Sequence, residues 1–145
     1  IYGNNIGEMD VLIAEGETTA GIDEKGELIS GAPGNDFIYG TARKDSLFGG
    51  QQHDLLVGGG GDDILFGDYE IYNPAINWSI SIHLDENGYT PIGENVTLLA
   101  MEDSGDDLIY AGAGNDYVEG NNGDDEIYGG SGTDLFDKSC ETVID

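Results

Sequence analysis

Gly58-Gly-Gly-Gly-Asp-Asp63-Ile-Leu65-Phe and Gly129-Gly-Ser-Gly-Thr-Asp134-Leu-Phe136-Asp are two copies of one nine-residue pattern, with an Asp sixth and a bulky apolar residue eighth. The period is kept on either side of a single interruption. Before it stand Gly31-Ala-Pro-Gly-Asn-Asp36-Phe-Ile38-Tyr, Gly40-Thr-Ala-Arg-Lys-Asp45-Ser-Leu47-Phe, Gly49-Gly-Gln-Gln-His-Asp54-Leu-Leu56-Val and the Gly58 copy. After it stand Glu102-Asp-Ser-Gly-Asp-Asp107-Leu-Ile109-Tyr, Ala111-Gly-Ala-Gly-Asn-Asp116-Tyr-Val118-Glu, Gly120-Asn-Asn-Gly-Asp-Asp125-Glu-Ile127-Tyr and the Gly129 copy. A nine-residue unit cannot bury a core of its own, so eight in phase read as a solenoid.

Each unit divides into a turn and a strand. Glycines at positions one and four allow backbone angles that a side chain opposes, so six residues wrap tightly with carbonyl oxygens facing inward. The last three residues are extended and alternate in direction, which sends Ile38, Leu47, Leu56, Leu65, Ile109, Val118, Ile127 and Phe136 to one face. Two units complete one coil. Odd repeats then stack along one edge and even repeats along the other, and the Asp side chains form two columns.

Stacked strands lie roughly 4.7 Å apart, where two carboxylates repel by about 0.9 kcal/mol even at the dielectric of water. Thirty Asp and Glu face only Lys25, Arg43, Lys44 and Lys138, for a formal charge of −26. A divalent cation between the loops answers that repulsion. Carboxylate and carbonyl oxygens in a flexible, glycine-bearing loop suit Ca²⁺ better than Mg²⁺, which demands a strict octahedron and keeps its waters. Zinc has few ligands here: Cys140 is alone, and His53 and His83 are far apart. The candidate ligands are the sixth-position carboxylates Asp36, Asp45, Asp54, Asp63, Asp107, Asp116, Asp125 and Asp134. With them go the loop residues Gly31, Gly49, Gly58, Gly60, Gly61, Gly67, Ser104, Gly105, Ala111, Ala113, Gly114, Gly120, Asn122, Gly123, Gly129, Ser131 and Gly132.

The pattern G-G-x-G-x-D-x-U-x resembles the nonapeptide repeat of the RTX family, most closely at Gly58–Phe66 and Gly129–Asp137. The resemblance implies an all-β fold, a parallel β-roll or β-helix solenoid with several Ca²⁺ ions between its loops. It further implies a secreted, extracellular bacterial protein exported by type I secretion. Toxins, lipases, metalloproteases, alginate epimerases and adhesins share the repeat, so it names a module rather than a parent.

The domain reading has five parts: degenerate N-terminal capping coils over 1–30, repeats over 31–66, an inserted β-hairpin over 67–103, repeats over 104–137, and a cap or the start of another segment over 138–145. Asp10-Val-Leu12-Ile and Glu27-Leu-Ile29 look like second halves of repeats, but are read as out of the nine-residue phase. The opening Ile1-Tyr2-Gly3 echoes Ile38-Tyr39-Gly40, as if the chain were a fragment. In the insertion Trp78, Ile80, Ile82 and Leu84 alternate with polar residues, and Asp85-Glu-Asn-Gly88 supplies a turn before Val96-Thr-Leu98. One face of that hairpin is apolar and needs a partner. The outward residues of the odd repeats (Phe37, Tyr39, Leu55, Val57, Leu108, Tyr110, Glu126 and Tyr128) make the more apolar sheet surface, so the hairpin is expected to fold over them.

The loops are not equal. Arg43 and Lys44 bring cations into the second loop, and in the third Gln52 replaces the fourth-position glycine with His53 after it, so both loops are expected to bind metal weakly; the equal alternative for Arg43 and Lys44 is a pair of solvated charges neutralising nearby carboxylates. No H-E-x-x-H, no G-x-S-x-G and no phosphate-binding lysine loop is present, so the module itself is read as non-catalytic. The charge disfavours nucleic acid, and no apolar run approaches bilayer length. Without metal, an acidic glycine-rich chain is expected to be disordered. The expected partners are calcium and the rest of a parent polypeptide, which the module scaffolds after folding on Ca²⁺ outside the cell. The alternatives are a carbohydrate-binding module, as in alginate epimerases, and a spacer in a surface adhesin.

Overall fold

A computed structural model describes residues 11–13, 25–75, 77–102, 105–140 and 142–144, and every regular element among them is a strand. The strands are β1 (Val11–Ile13), β2 (Lys25–Pro33), β3 (Phe37–Tyr39), β4 (Lys44–Gln51), β5 (Leu55–Gly60), β6 (Ile64–Phe66), β7 (Tyr69–Tyr72) and β8 (Ser79–Asp85). After them come β9 (Gly88–Glu94), β10 (Thr97–Ala100), β11 (Leu108–Ala113), β12 (Tyr117–Glu119), β13 (Glu126–Ser131), β14 (Leu135–Phe136) and β15 (Thr142–Ile144).

Two parallel sheets form the roll, in the orders β1-β3-β5-β11-β13-β15 and β2-β4-β6-β12-β14. The first holds the odd repeats and the second the even ones. Eighth-position residues pair strand to strand: Ile38 with Leu56, Leu56 with Ile109, and Ile109 with Ile127 on one side. On the other, Ile29 pairs with Leu47, Leu47 with Leu65, Leu65 with Val118, and Val118 with Phe136. All of these but Phe136 are fully buried and make one core between the sheets. The solenoid read from the period is the fold of the chain.

Ile29 belongs to that core, which corrects the reading of Glu27-Leu-Ile29 as out of phase. Ile29 precedes Ile38 by one period and Glu27 precedes Asp36 by one, so this stretch is a repeat with Glu in place of Asp. Asp10, residues 14–24 and Ser104 lie outside the described residues.

The insertion is a double ribbon rather than one hairpin. β8 pairs antiparallel with β9 through the Glu86-Asn87 turn, where the Asn87 N–H donates to Asp85 Oδ1 at 2.7 Å. β10 pairs with β7 instead, Leu98 opposite Ile71. Thus the Thr97–Ala100 strand closes the neck of the insertion and does not complete the Trp78 hairpin.

The ribbon covers the second sheet, against the expectation that it would cover the odd repeats. Trp78, Ile80, Ile82, Tyr89 and Leu98 pack on a cluster of Leu28, Phe48, Phe66, Ile71, Val96 and Tyr117. The tether explains the choice. Only Gly67 and Asp68 separate β6 from β7, so Tyr69 turns straight back onto Phe66, with ring centroids 4.8 Å apart. Phe66 also stacks on Phe48 at 5.0 Å and meets Tyr117 edge-on at 6.0 Å. Counting apolar residues along each sheet missed this compact aromatic patch in adjacent rows. Leu84, assigned to the packed face, is 63% exposed near the tip of the ribbon. On the first sheet the outer tyrosines remain at the surface, Tyr39 36% and Tyr110 38% exposed, with Tyr110 stacked on Tyr128 at 4.7 Å.

Candidate metal centre

The sixth-position carboxylates form two columns, each built by one repeated hydrogen bond. In the first, the N–H of Asp36 donates to Asp54 Oδ1 (2.8 Å), that of Asp54 to Asp107 Oδ1 (2.8 Å) and that of Asp107 to Asp125 Oδ1 (2.9 Å). In the second, Asp45 donates to Asp63 (2.9 Å), Asp63 to Asp116 (2.8 Å) and Asp116 to Asp134 (3.0 Å). Partners are 18 residues apart within a block and 53 apart across the insertion. The roll therefore continues through the interruption without losing a step.

Oδ1 is thus satisfied, while the Oδ2 atoms of Asp54, Asp63, Asp107 and Asp116 are buried with no donor. Those of Asp54, Asp63 and Asp107 point at the glycines Gly49, Gly58 and Gly67. A Cβ on Gly49 would strike Asp54 Oδ2 and lie 2.6 Å from the Gly67 carbonyl oxygen; one on Gly58 would lie 2.6 Å from Asp63 Oδ2 and strike the Ala111 carbonyl. Gly31 and Gly67 face the same pair of groups, Asp36 Oδ2 with Gly49 O and Asp107 Oδ2 with Gly120 O. Where position one is glycine, it keeps a small, oxygen-lined cradle open; the Asp116 repeat has Ala111 there. Positive φ falls elsewhere, at position two (Gly59, φ 106°) and position four (Gly61, φ 98°), which revises the role assigned to the first glycine.

Burial, with the stacked neighbour adding to it, pushes Asp54 and Asp63 up to about 9 from the ordinary 3.8. Asp107 is pushed to about 8 and Asp116 to about 6, again mainly by burial. An ionised carboxylate in these cradles is unfavourable unless a cation joins it. Among the described residues no three His, Cys, Asp or Glu side chains converge. A cation here must take one carboxylate per loop and complete its shell with carbonyl oxygens, which is the donor set of a hard ion such as Ca²⁺.

A family model for the RTX calcium-binding nonapeptide repeat, four copies in length, matches residues 30–65 and 103–136, together just under half of the chain. These are RTX calcium-binding repeats. No curated protein and no solved structure matches the chain. The RTX roll is a calcium-binding module, and several Ca²⁺ ions belong to it.

The second RTX loop differs from the rest, for a reason the sequence reading did not give. Both Asp45 oxygens have donors: Oδ1 takes the Glu27 N–H (2.5 Å), and Oδ2 takes the Thr41 N–H (2.5 Å) and hydroxyl (2.9 Å). Lys44 does not enter the loop but bonds outward to Asp62 Oδ2 at 3.2 Å. In the third loop, Gln52 holds the left-handed conformation (φ 76°) that its glycine counterparts adopt. Gly40, absent from the candidate ligands, faces Asp45 Oδ2 and the Gly58 carbonyl as the other first glycines face theirs.

Two further features were missed. Fifth-position side chains form an outer ladder of opposite polarity: His53 N–H to Asn35 Oδ1 (3.3 Å), Asp106 N–H to His53 Nδ1 (2.7 Å) and Asp124 N–H to Asp106 Oδ1 (2.9 Å). Asn115 N–H to Asp62 Oδ1 and Thr133 N–H to Asn115 Oδ1, both 2.9 Å, continue it on the other edge. The Asn and Asp at position five were the signal for it. Asp68 is the second feature, fully buried at the neck, where its carboxylate takes the N–H groups of Asn122 (2.9 Å) and Gly105 (3.4 Å). Its own carbonyl takes the Met101 N–H, so one residue joins both ends of the insertion to the roll.

Other candidates lie along the stacked loops. Gly114, Gly123 and Gly132 stack over the Gly61, Gly105 and Gly114 carbonyls. Ala113 pairs with Gly60 and Ser131, and the side chains of Ala113 and Ser131 are exposed. The Asn122 side chain reaches the Met101 carbonyl at 3.1 Å.

Proposed function

We propose that this RTX roll is a folding switch within a larger exported protein, in which Ca²⁺ binding supplies the free energy that orders the coils. The observation that carries this reading is the set of buried Oδ2 atoms on Asp54, Asp63, Asp107 and Asp116 that meet no donor. In calcium-poor surroundings these carboxylates oppose the fold; where calcium is abundant, binding free energy becomes folding free energy. The ions are held by Asp36, Asp54, Asp63, Asp107, Asp116, Asp125 and Asp134 with the facing loop carbonyls. β1 and β15, the outermost strands of the first sheet, act as its end coils. The outer face of the first sheet, with Tyr39 and Tyr110 at the surface, supports the scaffold role by offering a surface to neighbouring chain. The repeat family, typical of secreted bacterial proteins, supports export, as does a lone Cys140, which leaves no internal disulfide to form before passage.

Circular dichroism during a calcium titration tests the switch. The chain is expected to show little β signal in excess EGTA and to gain it cooperatively with Ca²⁺, because several cradles fill before the ordering cost is met. Full β signal in chelator would sink the reading.

A further inference from the structure

Three of the four basic residues in this chain, Lys25, Arg43 and Lys44, stand at one corner of the second sheet, where Lys25 of β2 pairs with Lys44 of β4. Beside Lys25 and Lys44 a cavity of about 240 Å³ opens between that sheet and the foot of the insertion. Its apolar wall is Trp78, Ile64 and Ile80, and its polar lining is Lys25, Lys44, Asp45, Asp62, Ser46 and Ser79. It has room for on the order of eight waters at ~30 Å³ each, the bulk of a single six-membered ring with a substituent.

The charges around this cavity are unequally committed. Asp62 holds Lys44 at 3.2 Å and takes the Asn115 N–H at 2.9 Å, while Asp45 spends its oxygens on Glu27 and Thr41. Lys25 Nζ lies 3.6 Å from the Trp78 ring centroid and donates to the Trp78 carbonyl, which uses one of the three donors of an ammonium group. Elsewhere on so acidic a molecule an anion meets repulsion; here two ammonium groups and an indole stand beside carboxylates, Asp45 and Asp62, that already hold hydrogen-bond donors. Convergent polar groups in an apolar recess are the ordinary make-up of a small-molecule site.

We propose that this seam binds a small ring carboxylate, its carboxylate between Lys25 and Lys44 and its ring against Trp78 and Ile80. The site needs the insertion seated on the roll, so it rests on the calcium-folded state proposed above. The two readings fail separately, because Trp78 emission reports seating whether or not a ligand is added.

The test titrates D-glucuronate and benzoate, with D-glucose as the neutral control, into the calcium-saturated chain, following Trp78 emission and heat. Saturable binding of at least one acid and none of glucose is expected. Glucuronate alone marks a sugar acid as the ligand and benzoate alone an aromatic acid. Lys25→Gln is expected to weaken binding about tenfold, the loss of one charge-assisted hydrogen bond. If that change also reddens Trp78 emission by unseating the ribbon, Lys44→Gln, whose ammonium touches Asp62 and not the indole, gives the same comparison. The proposal is overturned if neither acid gives a saturable signal while Trp78 remains blue-shifted, if glucose binds as well as the acids, or if binding is unchanged in both lysine variants.

Discussion

At the scale of the residue, every loop is governed by where each oxygen of the sixth-position Asp finds a partner. From Asp45 to Asp134, Oδ1 closes a step of the column, so losing one of these Asp residues costs a hydrogen bond, roughly 1–3 kcal/mol where it is buried. Oδ2 separates the loops. Asp116→Ala is expected to lower the number of calcium ions bound and raise the calcium midpoint of folding. Asp45→Ala should destabilise the roll yet leave the stoichiometry unchanged, since Thr41 already serves Asp45 Oδ2. Calorimetric titration of both variants decides it; loss of an ion in Asp45→Ala would show that Thr41 yields to the metal. Gly49→Ala probes the cradle itself. Its methyl group would intrude on Asp54 Oδ2 and the Gly67 carbonyl, at the ~1–3 kcal/mol typical of overpacking, and calcium affinity should fall without any carboxylate being removed.

At the scale of the element, the insertion is held by its short tether and by aromatic packing rather than by pairing with the parallel sheets. Burying an aromatic of the size of Trp78 is worth on the order of 2–3 kcal/mol, enough to couple ribbon and roll. Calcium should therefore shift Trp78 emission to the blue and protect it from acrylamide, and Trp78→Ala should raise the calcium midpoint without abolishing binding. The face is testable too. Phe66→Ala removes a ring that Phe48, Tyr69 and Tyr117 all contact and should redden Trp78 in the calcium-bound state, whereas Tyr110→Ala on the first sheet should leave its emission unchanged. The opposite pattern would return the ribbon to the odd repeats.

At the scale of the whole molecule, the cradles make the calcium-free fold sensitive to pH. Asp54, Asp63 and Asp107 hold their protons up to about 8–9 in the fold and release them near 3.8 when unfolded. The folded state thus binds more protons between those limits. Its stability is greatest below about 3.8 and is lost as pH rises through 8–9. In EGTA, β signal should be higher at pH 5 than at pH 9, and the calcium needed for folding should show the reverse demand on pH through competition with protons. An EGTA spectrum that is flat across this range would contradict the burial of these carboxylates.

The in-phase Asp63 and Leu65 and their counterparts made the solenoid, its two Asp columns and its hard-cation chemistry legible in the sequence, because a fixed period forces like residues to stack. Glu27 and Ile29 obey the same period, hidden by the change of acid and by Ile22 and Lys25 where other repeats carry glycine. Three matters were decided by tertiary structure alone. The ribbon lies on the second sheet because Gly67 and Asp68 leave no slack to reach the first. The second loop differs because Thr41, not its basic neighbours, reaches Asp45 Oδ2. Lys25, Lys44 and Trp78 meet because stacking sets Lys25 of β2 beside Lys44 of β4, and the insertion then folds back over both. A period specifies what repeats along the roll; where the chain departs from it, contacts between residues distant in sequence determine the outcome.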